Sequence, residues 1–147
     1  MADPVTAKFG KFRILLGDGA SPELFVAPCG FTSKAITWTK GLTEINLPDC
    51  LDPDAPASVG RDIENRSVGI TGEGVLAAES IDEWIAFEEA SEAQNVRIEI
   101  DIGIFTHVWN GAMHLGEIGY SAEQGGRVTI TVNMSSDGEM LHTVAST

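Results

Sequence analysis

The alternation of polar and apolar positions is the dominant pattern of the chain, and it predicts β-strands with one buried face. The segments 96–102 and 127–133 each alternate over seven residues. Weaker strand patterns occupy 9–16, 23–26, 31–40, 68–75, 105–109, 113–120 and 140–144. Residues 17–19 are predicted to form a turn that lets the first two strands pair as a hairpin. Gly41 interrupts the third strand, which can continue over 42–47.

One segment predicts an α-helix, at about residues 81–92. Ser80-Ile81-Asp82-Glu83 has the form of a capping box, in which the Ser and Glu side chains bond the first free backbone N–H groups. Ile81, Trp84 and Ile85 follow at helical spacing and are predicted to form the buried stripe. Acidic residues near the end of this segment oppose the helix dipole.

These elements add up to roughly eight strands with one helix between the middle ones. Half-buried alternation is typical of antiparallel sheets that expose one face to water. The sequence therefore predicts a mainly β fold, an antiparallel β-sandwich or open barrel with one packed α-helix. At 147 residues, the chain fits a single domain over 1–147.

Residues 46–67 lack any hydrophobic period and contain three of the six prolines, so the sequence predicts a long loop there. A loop of this length in a compact domain usually has a function or is disordered. Its acidic residues do not follow the calcium-loop pattern, because Pro53 and Pro56 interrupt the required spacing. The residues singled out in this loop are Pro48, Asp49, Asp52, Asp54, Arg61, Asp62, Glu64 and Arg66.

The net charge of −13 argues against tight binding to nucleic acid or to an anionic membrane surface. Residues 1–40 carry five basic and three acidic residues, and the remainder carries four basic and nineteen acidic ones. Two interpretations follow: an acidic solvated surface, or a mildly basic face of one copy that meets an acidic face of the next. With no signal-peptide pattern and no apolar run of membrane-spanning length, we expect a protein made in the cytoplasm with no membrane partner.

No motif in the chain indicates catalysis, a cofactor or a metal. The GxGxxA pattern at 72–77 ends before the predicted helix begins, whereas a dinucleotide site needs its glycines at the helix N-terminus. His107, His114 and His142 do not have metal-ligand spacing. Cys29 and Cys50 are too far apart for a CxxC motif and are expected to be free, partly buried thiols.

The order of these features resembles the tail tube protein (major tail protein) family of long-tailed bacteriophages and gene transfer agents. The resemblance covers nearly the whole chain. It is carried by the layout of strands and loop, by the stretch RSVGITGEGV at 66–75 followed by the capped helix, and by the late strand at 127–132.

This resemblance implies a structural virion protein with no catalytic residues. It implies six copies in a ring, rings stacked into a hollow tail tube, and assembly in the host bacterial cytoplasm. It also implies that double-stranded DNA passes through the lumen without specific binding, after the tape measure protein has occupied it, and that tail terminator and tip proteins are partners. The loop at 46–67 would then be the stacking loop that reaches a neighbouring ring.

An acidic lumen would let DNA slide, because phosphates are held by basic residues. Glu44 and Glu73, on the polar faces of long strands, are the lumen residues that we expect. The alternative is a monomeric carbohydrate-binding β-sandwich with Trp38, Trp84 or Trp109 as a stacking platform. Trp38 and Trp84 fall on predicted core faces, which leaves Trp109 as the platform for that alternative.

Overall fold

A computed structural model describes residues 3–17 and 24–146. In this part of the chain a short 3-10 helix, Phe9–Lys11, precedes an antiparallel sheet of eight strands with one α-helix. The elements are β1 Phe12–Gly17, β2 Phe25–Val26, β3 Phe31–Leu47, β4 Ser58–Val75, α1 Ile81–Glu89, β5 Gln94–Asp101, β6 Phe105–Ser121, β7 Thr129–Ser136 and β8 Leu141–Ser146.

The sheet order is β2-β1-β5-β6-β7-β4-β3, with β8 beside the first half of β6. Strand β6 pairs with β5 and β8 over its first half and with β7 over its second half. β1 and β2 form the predicted hairpin, in which Leu16 lies opposite Val26; residues 18 and 19 of its predicted turn lie outside the described residues. The predicted fold class is confirmed as an open barrel made from one curled sheet.

The core lies between one face of the sheet and α1. Trp84 of the helix is 1% exposed and packs with side chains from β1, β4, β5, β6 and β7. Along β7 the alternation is complete, because Ile130, Val132 and Met134 are buried while the residues between them are exposed. The alternation in the sequence therefore predicted the buried face of β7 correctly.

The prediction of a loop over 46–67 is wrong in extent. Strand β3 continues through Gly41 to Leu47, and β4 already begins at Ser58, so only residues 48–57 connect the two strands. The pairing shifts by one residue next to Gly41, whose N–H donates to Oδ1 of Asn65 over 3.2 Å. Residues 58–67 gave no hydrophobic period because this part of β4 is exposed on both faces, apart from the half-buried Gly60.

The helix is confirmed and begins at Ile81 as predicted, but its capping and its end differ from the prediction. The Oγ of Ser80 accepts a hydrogen bond from the N–H of Cys29 over 3.1 Å, and the N–H of Ser80 donates to the carbonyl of Ala77, so no capping box forms. The helix ends at Glu89 rather than near residue 92. Trp84 and Phe87 are its buried residues, and the prediction that Ile85 is buried is wrong.

Two further predictions are corrected. The predicted break at Asn110-Gly111 does not exist, because β6 runs through both residues without interruption. The thiols of Cys29 and Cys50 are free, as expected, but both residues are exposed rather than partly buried.

Candidate functional site

The outer parts of β3 and β4 form a two-stranded ribbon that extends beyond the barrel, made of residues 39–47 and 58–67. Strand β7 pairs with β4 only over Gly69–Val75, so within the described chain the ribbon residues pair only with each other. The ribbon carries half-exposed apolar side chains, namely Leu42, Ile45, Leu47, Val59 and Ile63. A two-stranded ribbon has little stability by itself, and exposed apolar patches mark interaction surfaces. The ribbon therefore has the properties of an assembly element.

The tip of the ribbon, residues 48–57, is shaped by local hydrogen bonds. Oδ1 of Asp49 accepts from the N–H of Leu51 over 2.8 Å and from the N–H of Asp52 over 3.3 Å. The N–H of Ala55 donates to the carbonyl of Asp52 over 3.0 Å. Leu51, within this turn, is 97% exposed. The tip holds four of the residues singled out from the sequence, Pro48, Asp49, Asp52 and Asp54.

The other four predicted loop residues lie on β4. Arg61 forms an ion pair of 3.4 Å with Glu44 across the ribbon, and Glu64 accepts a hydrogen bond from Oγ1 of Thr43 over 3.1 Å. Asp62 lies opposite Thr43, and Arg66 lies at the ribbon base opposite Lys40. The structure thus separates the eight residues into a tip group and a strand group.

A cavity of about 690 Å³ lies at the base of the ribbon. The rings of Trp38 and Trp109 form one wall, with centroids 5.2 Å apart, and the ring of His142 stacks on Trp109 at 4.9 Å. His142 also shares a hydrogen bond of 3.0 Å with His107. Sequence analysis missed this cluster, because the pairing of β6 with β8 brings together residues that are distant along the chain.

The sheet face opposite the core is uncovered over β4, β7 and neighbouring strands. Over this area its exposed side chains are mostly small and polar, with two acids, one histidine and one valine and without lysine or arginine. They include Thr37, Thr39, Ser67, Thr71, Glu73, Val75, His114, Glu117, Thr129, Thr131, Asn133 and Ser135. Glu73 lies near its middle, opposite Thr131. Glu44 is also exposed, but the register places it on the other face of the β3–β4 pair, so the two glutamates do not share one surface.

Residues with possible chemical roles are dispersed over the fold. Within 3–17 and 24–146, no three His, Cys, Asp or Glu side chains are grouped so that they could hold a metal ion. Gly72 and Gly74 lie in β4. A Cβ at Gly72 would meet the ring of Phe31, and a Cβ at Gly74 would meet backbone atoms of Gly30 and Phe31. These glycines allow close packing of β3 on β4, which explains the GxGxxA pattern. No helix in the described part of the chain is long and apolar enough to cross a membrane.

Comparison with known proteins assigns the chain to a family. A sequence model of the phage tail tube protein family matches residues 6–142. The chain belongs to the phage tail tube protein family. No curated protein sequence matches it significantly. As a member of this family it is a structural protein of the tail of a virion and not an enzyme.

Solved structures of tail tubes share this fold at low sequence identity. The tail of an empty gene transfer agent particle with C6 symmetry aligns with a TM-score of 0.75 at 19% identity, over 94% of this chain and 99% of the other. The SPP1 tail tube aligns with a TM-score of 0.63 at 9% identity, over 97% of this chain and 81% of the other. The tube-terminating cap of the anti-feeding prophage aligns with a TM-score of 0.58 at 15% identity, over 100% of this chain and 95% of the other.

Family membership favours the tail tube role over the carbohydrate-binding alternative. Trp84 is in the core, and the ring of the partly buried Trp109 contacts the rings of both Trp38 and His142. Trp38, which was predicted to be buried, is 48% exposed and lies beyond the helix-covered part of the inner face. None of the three indoles is therefore an isolated stacking platform in this tail tube protein.

Proposed function

We propose that this tail tube protein assembles into six-membered rings, and that the rings stack into a hollow tube that conducts double-stranded DNA. The observation that carries the proposal is the uncovered polar face of the sheet. The likeness to a tail with C6 symmetry supports the ring size.

The polar face has the chemistry expected of a lumen wall. Duplex DNA carries about one negative charge per 1.7 Å of its axis, and binding to it relies on basic side chains. Over β4, β7 and neighbouring strands, the described part of this face carries mainly hydroxyl and amide groups with Glu73 and Glu117, besides Val75 and His114, but no lysine or arginine. A wall of this composition offers DNA no contact with lysine or arginine. We assign Glu73 to the lumen; Glu44, on the other face, belongs to the contacts between copies.

The ring also needs edges that pair between copies. Strand β3 is one end of the sheet order, and among the described strands β8 pairs only with β6. Exposed strand edges tend to pair with other chains, so lateral pairing of copies would use edges that are otherwise a hazard. The same tube would hold the tape measure protein before DNA passes, and its ends would meet the terminator and tip proteins.

Electron microscopy of the purified protein at increasing concentration tests this proposal. We expect rings that display six subunits in averaged end-on views, and tubes with an axial channel wide enough for duplex DNA. A protein that stays monomeric at high concentration, or rings with another symmetry, would contradict the proposal. The variant Trp84→Ala, which removes a core side chain, serves as a control for assembly by misfolded protein.

A further inference from the structure

The cavity at the ribbon base has an apolar wall and a basic rim. Trp38, Trp109 and Met140 supply the apolar surface. Lys40 and Arg66 supply the rim, and they lie directly opposite each other across the strand pair. One acid, Glu139, also lines the cavity.

The two rim cations are not neutralised within the described chain. Neither Lys40 nor Arg66 forms an ion pair with a described residue, whereas Lys11, Arg13 and Arg61 all do. Like charges directly opposite each other destabilise a strand pair. In a protein with a net charge of −13, two unpaired facing cations beside exposed indole surface indicate a place for an acidic, apolar partner.

The tip of the ribbon has the complementary chemistry. Leu51 is an apolar side chain with 97% exposure, and Asp49, Asp52 and Asp54 lie within three positions of it along the chain. Within the described residues, none of the three carboxylates forms an ion pair. The hydrogen bonds to Asp49 fix the tip before binding, and such pre-organisation lowers the entropy cost of association.

We propose that the ribbon tip of one copy docks into the ribbon-base cavity of the next copy along the tube. Leu51 packs against Trp38 and Trp109, while the tip carboxylates pair with Lys40 and Arg66. The inference rests on the proposed stacking of rings and names the two surfaces that meet.

The tip cannot fill the cavity of its own chain. Seven residues of extended strand separate Lys40 from Leu47, a distance of roughly 23 Å at 3.3 Å per residue. Tip and cavity therefore lie at opposite ends of the ribbon. A contact between unlike surfaces of identical copies is head-to-tail, and contacts of this kind produce open-ended growth when they do not close into a ring.

Charge reversal on each surface tests the docking. The rim variant carries Lys40→Glu and Arg66→Glu, and the tip variant carries Asp52→Lys and Asp54→Lys, which spares the turn formed by Asp49. Each variant alone would face like charges at every junction, so we expect its sedimentable tubes to fall by about tenfold or more. An equimolar mixture of the two should form tubes again. The acidic tip of the rim variant then meets the basic rim of the tip variant, and the basic tip of the tip variant meets the acidic rim of the rim variant.

The control for changed net charge is Glu88→Lys with Glu89→Lys, on the exposed side of α1. This variant changes the charge by as much as the tip variant and should form tubes normally. Circular dichroism verifies that each variant is folded. Normal tubes from both the rim and the tip variant alone would overturn the docking while leaving the proposed tube intact. A wild-type protein that forms no tubes would instead contradict the proposed function.

Cross-linking tests the same contact without changing the rim cations. Cys50 is exposed at the tip beside Leu51, and Glu139→Cys places a second thiol at the cavity, in a Cys29→Ser background. Under mild oxidation, assembled protein should give a ladder of dimers, trimers and larger species, because each chain has one tip and one cavity. The matched control Glu117→Cys, on the polar face, should stop at dimers. Tubes of the Glu139→Cys variant without a ladder would overturn the proposal.

Discussion

Lys34 on β3 donates a hydrogen bond from Nζ to the backbone carbonyl of Phe12 on β1, although the two strands lie far apart in the sheet order. The ammonium group also lies 4.2 Å from the centroid of the Phe9 ring. The contact joins the two ends of the curled sheet. Burial, and secondarily the charge of Arg13, lowers the pKa of Lys34 below its ordinary value of 10.5.

This lowered pKa predicts a pH dependence of stability. Between the folded-state pKa and 10.5, the unfolded chain binds more protons at this side chain than the folded chain does. The free energy of unfolding therefore rises with pH across that window through this group. Chemical denaturation at a series of alkaline pH values should show a steeper rise for wild type than for Lys34→Met. Parallel curves for the two proteins would contradict the assignment.

Trp84 is expected to be the largest single contributor of α1 to stability. Trp84→Ala should lower the free energy of unfolding by about 3–5 kcal/mol, because it removes a large, fully buried side chain. The adjacent Ile85, at 40% exposure, is the matched control, and Ile85→Ala should cost about 1 kcal/mol or less. Urea denaturation of the unassembled protein measures both. Equal losses would mean that the helix does not present Trp84 to the core.

Gly74 and Gly119 both lie in strands and differ in the space around them. A Cβ at Gly74 would lie 2.2 Å from the carbonyl oxygen of Gly30, whereas a Cβ at Gly119 would meet nothing within 4 Å. Gly74→Ala should therefore destabilise the protein by about 1–3 kcal/mol or more through overpacking. Gly119→Ala should be neutral or stabilising by up to about 1 kcal/mol, since alanine loses less backbone entropy. Thermal unfolding of the two variants checks the difference in sign.

Glu73 provides a test of the lumen assignment. Glu73→Lys would place a ring of cations in the channel, so DNA delivery per assembled particle should fall by about tenfold or more through contacts with phosphates, and higher salt should relieve the defect. Glu73→Gln should deliver DNA normally. Electron microscopy must show normal tube length in both. Unchanged delivery by Glu73→Lys would place this residue outside the DNA path.

Local patterns predicted the regular elements well where one face of each element is buried. The alternation at 96–102 and 127–133 located β5 and β7, and the helical spacing around Trp84 located α1. The start of β4 was missed because the ribbon buries neither face in the single chain. The periodic signal arises from burial, so it is absent where a strand buries neither of its faces.

Long-range contacts decided the details of the candidate site. Ser80 has the sequence of a helix cap, yet Cys29, 51 positions earlier, uses its hydroxyl group. Trp38 and Trp109 form one wall because β3 and β6 converge at the ribbon base. No local pattern encodes which strand pairs with which, since pairing depends on the whole sheet.

The sequence by itself determined the β-rich class, the single helix, the buried faces of β5 and β7 and the resemblance to tail tube proteins, because these depend on periodicity and order along the chain. Only the tertiary structure decided that residues 58–67 form a ribbon strand rather than a loop, that Glu44 and Glu73 lie on opposite faces, and that the basic cavity lies at the far end from the acidic tip. These features depend on strand register, and register is set when distant segments pack together.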